Sequence, residues 1–154
     1  MLLELHHITI GQRVKDLSFS IADGQIVSLT GPAGVGKTLV LRTILGFVPV
    51  DEGHICIDGE LVTPQSAHYF RQLTAYVPQQ LVVPEGYDEV STDYVRLLEH
   101  AIRSGRPLLI VDEPGQEVGD VAKEQIDRLL RDAVGQGRAV VAVNTRINAN
   151  QIRL

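Results

Sequence analysis

The sequence predicts an α/β fold: a mainly parallel central sheet flanked by helices, joined to an antiparallel β part near the N-terminus. Three observations lead there. Strand-like and helix-like stretches alternate along much of the chain, the pattern of layered α/β domains. Leu108-Leu109-Ile110-Val111 is apolar at every position, as a strand buried on both faces requires. The run Gly31-Pro32-Ala33-Gly34-Val35-Gly36-Lys37-Thr38 stands between the apolar stretch Ile26 to Thr30 and the helix-like stretch Leu39 to Leu45.

The elements follow in order. Leu5 to Ile10 and Leu17 to Ile21 read as an antiparallel pair, the second in strict alternation and ending at the turn Ala22-Asp23-Gly24. After the glycine-rich run, the helix stops near Gly46, and Pro49 prevents its continuation. Ile55 to Asp58 and the turn Gly59-Glu60 form another hairpin, a short helix occupies Ala67 to Leu73, and Ala75-Tyr76-Val77 is a strand. Leu81 to Glu89 reads as loop. Val95, Leu98, Ala101 and Ile102 recur at helical spacing, and Gly105 ends that helix before the Leu108 to Val111 strand, expected to be central and parallel. A last helix spans Val121 to Val134, with Ile126, Leu129, Leu130 and Val134 on one side, before the strand Ala139 to Val143.

At 154 residues the chain suits one domain that buries about 70% of its unfolded surface, so it needs no staples. Its one cysteine, Cys56, lies in an alternating run and reads as a buried strand position. The start, Met1-Leu2-Leu3-Glu4-Leu5, does not read as a secretion signal, and no apolar run approaches a membrane span, so a soluble, cytoplasmic protein is expected. A formal net charge of −5 argues against nucleic acid as a partner. The five histidines show no metal pattern: His6 and His7 are expected on opposite faces of a strand, and His54, His68 and His100 are isolated. Arg96, Arg103 and Arg106 read as a solvated helix side.

Residues 31 to 38 match GxxxxGK[ST], the phosphate-binding loop, in its strand-to-helix context. Gly31, Gly34 and Gly36 let successive N–H groups turn toward one anion at a helix N-terminus, within a backbone cradle that includes Pro32, Ala33 and Val35. Lys37 reaches the outer phosphates, and the Thr38 hydroxyl is a ligand for Mg²⁺. Asp112-Glu113-Pro114 follows the buried strand, placing two carboxylates where parallel sheets present ligands. Asp112 suits Mg²⁺ through water, and Glu113 suits a general base on the attacking water. The fold expected is thus the P-loop nucleotide hydrolase core, with a nucleotide and Mg²⁺ as its ligands.

Together these stretches resemble the ATP-binding cassette (ABC) transporter family's nucleotide-hydrolysing domain. Leu17 to Val27 is similar to that family's lead-in to the phosphate loop, and Ile44-Leu45-Gly46-Phe47 through Glu52 to Gly59 is similar to its run-out. Tyr76-Val77-Pro78-Gln79 resembles its Q-loop, which implies that Gln79 reaches the Mg²⁺ and the attacking water. The resemblance covers residues 12 to 80 and 105 to 114. It implies an antiparallel part at 1–25 and 53–63, a core at 26–52 and 74–154, and a helical subdomain reduced to about 81–104.

The chain departs from the family in a consistent direction. Asp112 stands only 33 positions after Gln79, too few for the family's helical subdomain. Val90-Ser91-Thr92-Asp93-Tyr94 stands where the signature Leu-Ser-Gly-Gly-Gln belongs, and Asp93 brings a negative charge where the family contacts phosphate. Ile10 stands near the place of an adenine-stacking aromatic, Gly115 to Asp120 replaces a Ser-Ala-Leu-Asp stretch, and Thr145 replaces the switch histidine. The resemblance implies an ATP-binding, ATP-hydrolysing subunit with Lys37, Gln79 and Glu113 in catalysis and Thr38, Asp112 and Gln79 at the metal. Its implied partners are a second ATP-binding subunit, identical or different, and a transmembrane transporter subunit that holds it at the inner membrane face. The alternative is a catalytically impaired regulatory or structural nucleotide-binding module without a transport role.

Overall fold

The computed structural model describes residues 1–32, 34–78, 90–112, 119–143 and 150–154, with 90–93 described by their backbone. Ala33, Gln79, Glu113 and Thr145, the loop expected at Leu81 to Glu89, and the Ser91 and Asp93 side chains lie outside the described residues. The elements run β1 (Leu2–Ile10), β2 (Val14–Ala22), β3 (Ile26–Thr30), α1 (Lys37–Ile44), β4 (Glu52–Ile57), β5 (Glu60–Val62) and α2 (Ala67–Arg71). Then come β6 (Thr74–Val77), α3 (Val90–Arg103), β7 (Leu108–Val111), α4 (Asp120–Gly135), β8 (Ala139–Val143) and β9 (Asn150–Arg153).

Two sheets carry the molecule. The first is antiparallel, four strands in the order β2-β1-β4-β5. The second is parallel throughout, five strands in the order β6-β7-β8-β3-β9. β7 is interior and flanked by parallel neighbours as expected, with β8 in the middle position. Its four residues divide between two cores: Leu108 and Ile110 join α1 and the antiparallel sheet, while Leu109 and Val111 face α3 and α4. β8 divides likewise, with Ala139, Val141 and Val143 on the first side and Val140 and Ala142 on the second. Continuous apolar strands are therefore the two-sided middle layer between helices and the smaller sheet.

Several sequence expectations need correction. Cys56 is half-buried, because Ile55 and Ile57 take the inward positions of β4 and alternation sends the residue between them outward. His54 is not isolated: it pairs across from His6, and the two rings stack with centroids 4.7 Å apart. His6 and His7, expected on opposite faces of a regular strand, both lie outside the core at a register shift between Leu5 and Ile8, with His7 at φ 51°. Arg106 is not a simple solvated side chain; its guanidinium donates to the carbonyls of Arg71 (3.2 Å) and Thr74 (2.8 Å), fastening the start of β6. β9, absent from the sequence reading, is an edge strand whose residues are mostly exposed and polar, so no apolar pattern marks it.

Candidate functional site

Because β3 and β7 run parallel in one sheet with only β8 between them, their carboxyl ends open on the same edge. β3 ends at Thr30 and leads through the glycine-rich loop into α1, which begins at Lys37. β7 ends at Val111, and Asp112 follows, 2% exposed. The Thr38 hydroxyl donates to Asp112 Oδ2 at 3.0 Å across 74 residues of sequence. The fold thus brings together the two motifs read separately in the sequence.

The loop's shape requires its glycines, most clearly Gly36. Its φ is 114°, and a β-carbon there would lie 2.9 Å from Val14 Cγ2 and 3.4 Å from Arg13 Cβ, in the β1–β2 connection. Any side chain would combine backbone strain with a collision. Gly36 is also the N-cap of α1, which has no side-chain cap and no acidic residue in its first turn. The N-terminal N–H groups of the helix are thereby left to an external anion. The Lys37 ammonium donates to the carbonyls of Gly31 and Pro32, holding its charge beside the loop. At the other end of the loop, a β-carbon on Gly31 would meet the Leu154 carbonyl oxygen at 3.1 Å, and the Leu154 N–H donates to Thr30 O at 2.9 Å. The chain following β9 therefore braces the loop where it leaves β3.

Two tyrosines beside Asp112 were not singled out from sequence. Tyr94, 1% exposed on α3, donates its hydroxyl to the Asp112 backbone carbonyl. A tyrosine on the apolar side of an amphipathic helix was the available signal, since a buried phenol must find an acceptor. Tyr76, half-buried on β6, has its phenol pushed above its ordinary value by burial, with the Asp112 charge adding to the rise and Arg42 opposing it. Ile10 is 5% exposed and packs in the core, so it presents no surface to the loop.

Hard oxygen donors at Thr38 and Asp112, close enough to share one ion, fit a Mg²⁺ site. Among the described residues no group of three or more His, Cys, Asp or Glu side chains forms a separate metal cluster. No helix of the described residues is long and apolar enough to cross a membrane.

The ABC transporter family model matches residues 14–133. An Fe(3+) ions import ATP-binding protein of Pectobacterium atrosepticum is 47% identical over 68 residues, covering 42% of this chain and 19% of that protein. The lipopolysaccharide export system ATP-binding protein of Haemophilus influenzae is 25% identical over 179 residues, covering 87% of this chain and 74% of its own length. That aligned length exceeds the 154 residues of the whole chain, so the relative carries insertions against it. The chain thus spans about a fifth of the first relative and about three quarters of the second. Among solved structures, the ATP-binding cassette MJ0796, a dimer in a post-hydrolysis state with ADP and Pi, superposes with a TM-score of 0.74. It is 20% identical and covers 99% of this chain and 94% of that one, a likeness of fold. By its family match and its fold, this chain belongs to the ABC transporter family, as a short form of its ATP-binding domain.

Proposed function

We propose that the chain binds Mg·ATP at residues 31–38 and hydrolyses it as the ATP-binding component of a transport system, slowly when alone. The observation that carries this reading is the Thr38–Asp112 contact at 3.0 Å, beside an uncapped helix start and the Lys37 ammonium. The loop N–H groups hold the phosphate chain, and Lys37 follows the negative charge that develops on the outer phosphate. Thr38 and Asp112 would hold Mg²⁺, with Gln79 as a further ligand by resemblance, and the ion when bound would supply neutralisation of phosphate charge. Glu113 accepts a proton from the attacking water. Groups supplied by a partner in related phosphoryl chemistry are worth about 10³ to 10⁵ in rate. The sequence at 90–94 lacks the glycines of the family's signature, so a second ATP-binding subunit that carries them is the natural complement.

The chain is one domain over 1–154, with a β part at 1–25 and 53–63 and a helical subdomain reduced to about 81–104. Its place is the cytoplasm, at the inner membrane face through a transmembrane partner. The two relatives are named for ferric ions and for lipopolysaccharide, so they point to no common cargo. The step of only 33 positions from Gln79 to Asp112 favours a second reading, a nucleotide-binding module without transport, since the family's membrane partner docks beside the region it shortens.

Thermal unfolding with and without Mg·ATP, combined with phosphate release, separates these readings. A rise in Tm that is lost in Lys37→Ala, with slow release abolished by Glu113→Gln, supports the ATPase. A rise without release, unchanged by a partner that carries the signature motif, supports the binding module. An unaltered Tm overturns both.

A further inference from the structure

The outer face of the antiparallel sheet carries two cross-strand pairs of metal-ligating residue types. His6 of β1 lies opposite His54 of β4, and Glu4 lies opposite Cys56. The alternation that turns Leu3, Leu5, Ile55 and Ile57 into the core sends these pairs to the other side. The two imidazoles stack with centroids 4.7 Å apart and planes at 25°. His6 Nε2 stands 3.2 Å from Glu4 Oε2, whereas His54 makes no hydrogen bond and no ion pair among the described residues. The backbone fixes this pairing. Gly53, just before His54, has φ 84°, and a β-carbon there would stand 2.3 Å from His6 O and 2.2 Å from His7 O. The register shift that follows His6 is pinned through His7, whose backbone N–H donates to Ser18 Oγ at 2.8 Å and whose Nδ1 lies 2.7 Å from Asp16 Oδ1.

The His6 side chain is 41% exposed and His54 is exposed, so the pair gains little from burial. We propose that His6 and His54 form a two-histidine site for a divalent transition-metal ion of the Cu²⁺, Ni²⁺ and Zn²⁺ class, separate from the nucleotide site. Residues directly opposite on antiparallel strands have Cβ atoms about 4.5–5.5 Å apart. Rotation about the side-chain bonds then brings one nitrogen of each ring onto a single ion at about 2.0–2.1 Å. With the His6 Nε2–H donated to Glu4, the ring's lone pair stands on Nδ1, the carboxylate–histidine–metal arrangement in which the carboxylate orients the ring and raises its basicity. Neutral imidazole suits these ions, whereas Mg²⁺ prefers hard oxygen donors such as those of Thr38 and Asp112. Two protein donors leave the remaining coordination positions to water.

The test is calorimetric titration of the full chain with Cu²⁺, Ni²⁺, Zn²⁺ and Mg²⁺, with electron paramagnetic resonance of the Cu²⁺ form. His6→Gln, His54→Gln, Cys56→Ser and His100→Gln are compared, the last an exposed histidine of α3, with the Tm of each as a check on folding. One equivalent of Cu²⁺ is expected to bind more tightly than Ni²⁺ or Zn²⁺, to withstand excess Mg²⁺ and to couple to two nitrogens. His6→Gln and His54→Gln should each weaken binding about ten-fold or more and remove one coupled nitrogen, while Cys56→Ser and His100→Gln change neither. Unchanged affinity in either of the first two variants overturns the inference. Loss of binding in Cys56→Ser assigns the ion to the thiol, displacement by Mg²⁺ assigns it to Thr38 and Asp112, and equal loss in His100→Gln marks scattered surface binding; each of these overturns it too. The spectrum of the unaltered chain tests the pair even if a variant unfolds, because a single coupled nitrogen is incompatible with it.

Discussion

Tyr94 and Thr38 grip opposite ends of one residue. The Thr38 hydroxyl bonds the Asp112 carboxylate at 3.0 Å, and the Tyr94 hydroxyl bonds the Asp112 backbone carbonyl. Replacing Tyr94 by Phe keeps the ring and removes this donor to the Asp112 carbonyl. The expected cost is about 0.5–1.5 kcal/mol, the usual net worth of a hydrogen bond, read by urea unfolding. Because that bond orients Asp112, Tyr94→Phe should also raise the Mg²⁺ concentration needed for tight ATP binding, while binding of metal-free ATP stays near that of the unaltered chain. Equal loss with and without Mg²⁺ would reduce Tyr94 to a packing residue. Tyr76 gives a pH prediction. Its phenol is raised above the ordinary value of 10.0, by burial first and by Asp112 second. A raised acid is favoured in its protonated form by folding, so its contribution is fully present below the unfolded value and is lost as pH rises through the folded one. The Tm should therefore fall as pH rises past 10.0, and Tyr76→Phe should flatten that fall. A fall of the same steepness in Tyr76→Phe would assign it to other groups.

At the scale of elements, α1 is held at both ends by its neighbours. Its first turn meets the β1–β2 connection through Gly36, and beyond its last turn Leu45 O accepts from Arg71 Nε at 3.1 Å, with the Arg71 guanidinium 4.4 Å from the Phe47 ring centre. Gly46, at φ 79°, closes the helix against α2: a β-carbon there would stand 2.2 Å from Ala67 Cβ. Gly46→Ala should combine strain with overpacking and cost about 2–4 kcal/mol. In a chain of this size that lowers Tm by several degrees, since 1 kcal/mol shifts it by about 2–4 °C. Gly105→Ala is the control, since its φ of 75° is also positive but nothing lies within 4 Å of the added carbon. Equal losses in the two variants would show that backbone strain, not the α1–α2 contact, sets the cost. α4 buries Ala122, Ile126, Leu130 and Ala133. The sequence showed this helix, but it weighted Leu129 and Val134 equally with Ile126 and Leu130, while the two alanines went unmarked. Both alanines belong to the core shared with β7 and β8, and hydrophobicity alone does not register such small residues.

For the whole molecule, a ligand that binds only the folded chain adds stability by mass action. At one hundred times its Kd, Mg·ATP should raise unfolding stability by about 2.7 kcal/mol, and Lys37→Ala should remove most of that gain at the same concentration. A gain of equal size in Lys37→Ala would place the nucleotide elsewhere than the loop. The sequence by itself determined the order of elements from β1 to β8, the two-faced burial of β7, the glycine-rich run ending in Lys37-Thr38 and the acidic strand end, because each is set by local spacing and side-chain chemistry. Only the tertiary structure decided that Thr38 meets Asp112, that Arg13 stands over Gly36, that Tyr94 holds Asp112 and that β9 joins the sheet edge. Those contacts depend on strand order and on the parallel direction of β3, β7 and β8. A single chain's hydrophobic pattern carries neither, because any strand buried on both faces presents the same apolar run wherever it sits in the sheet.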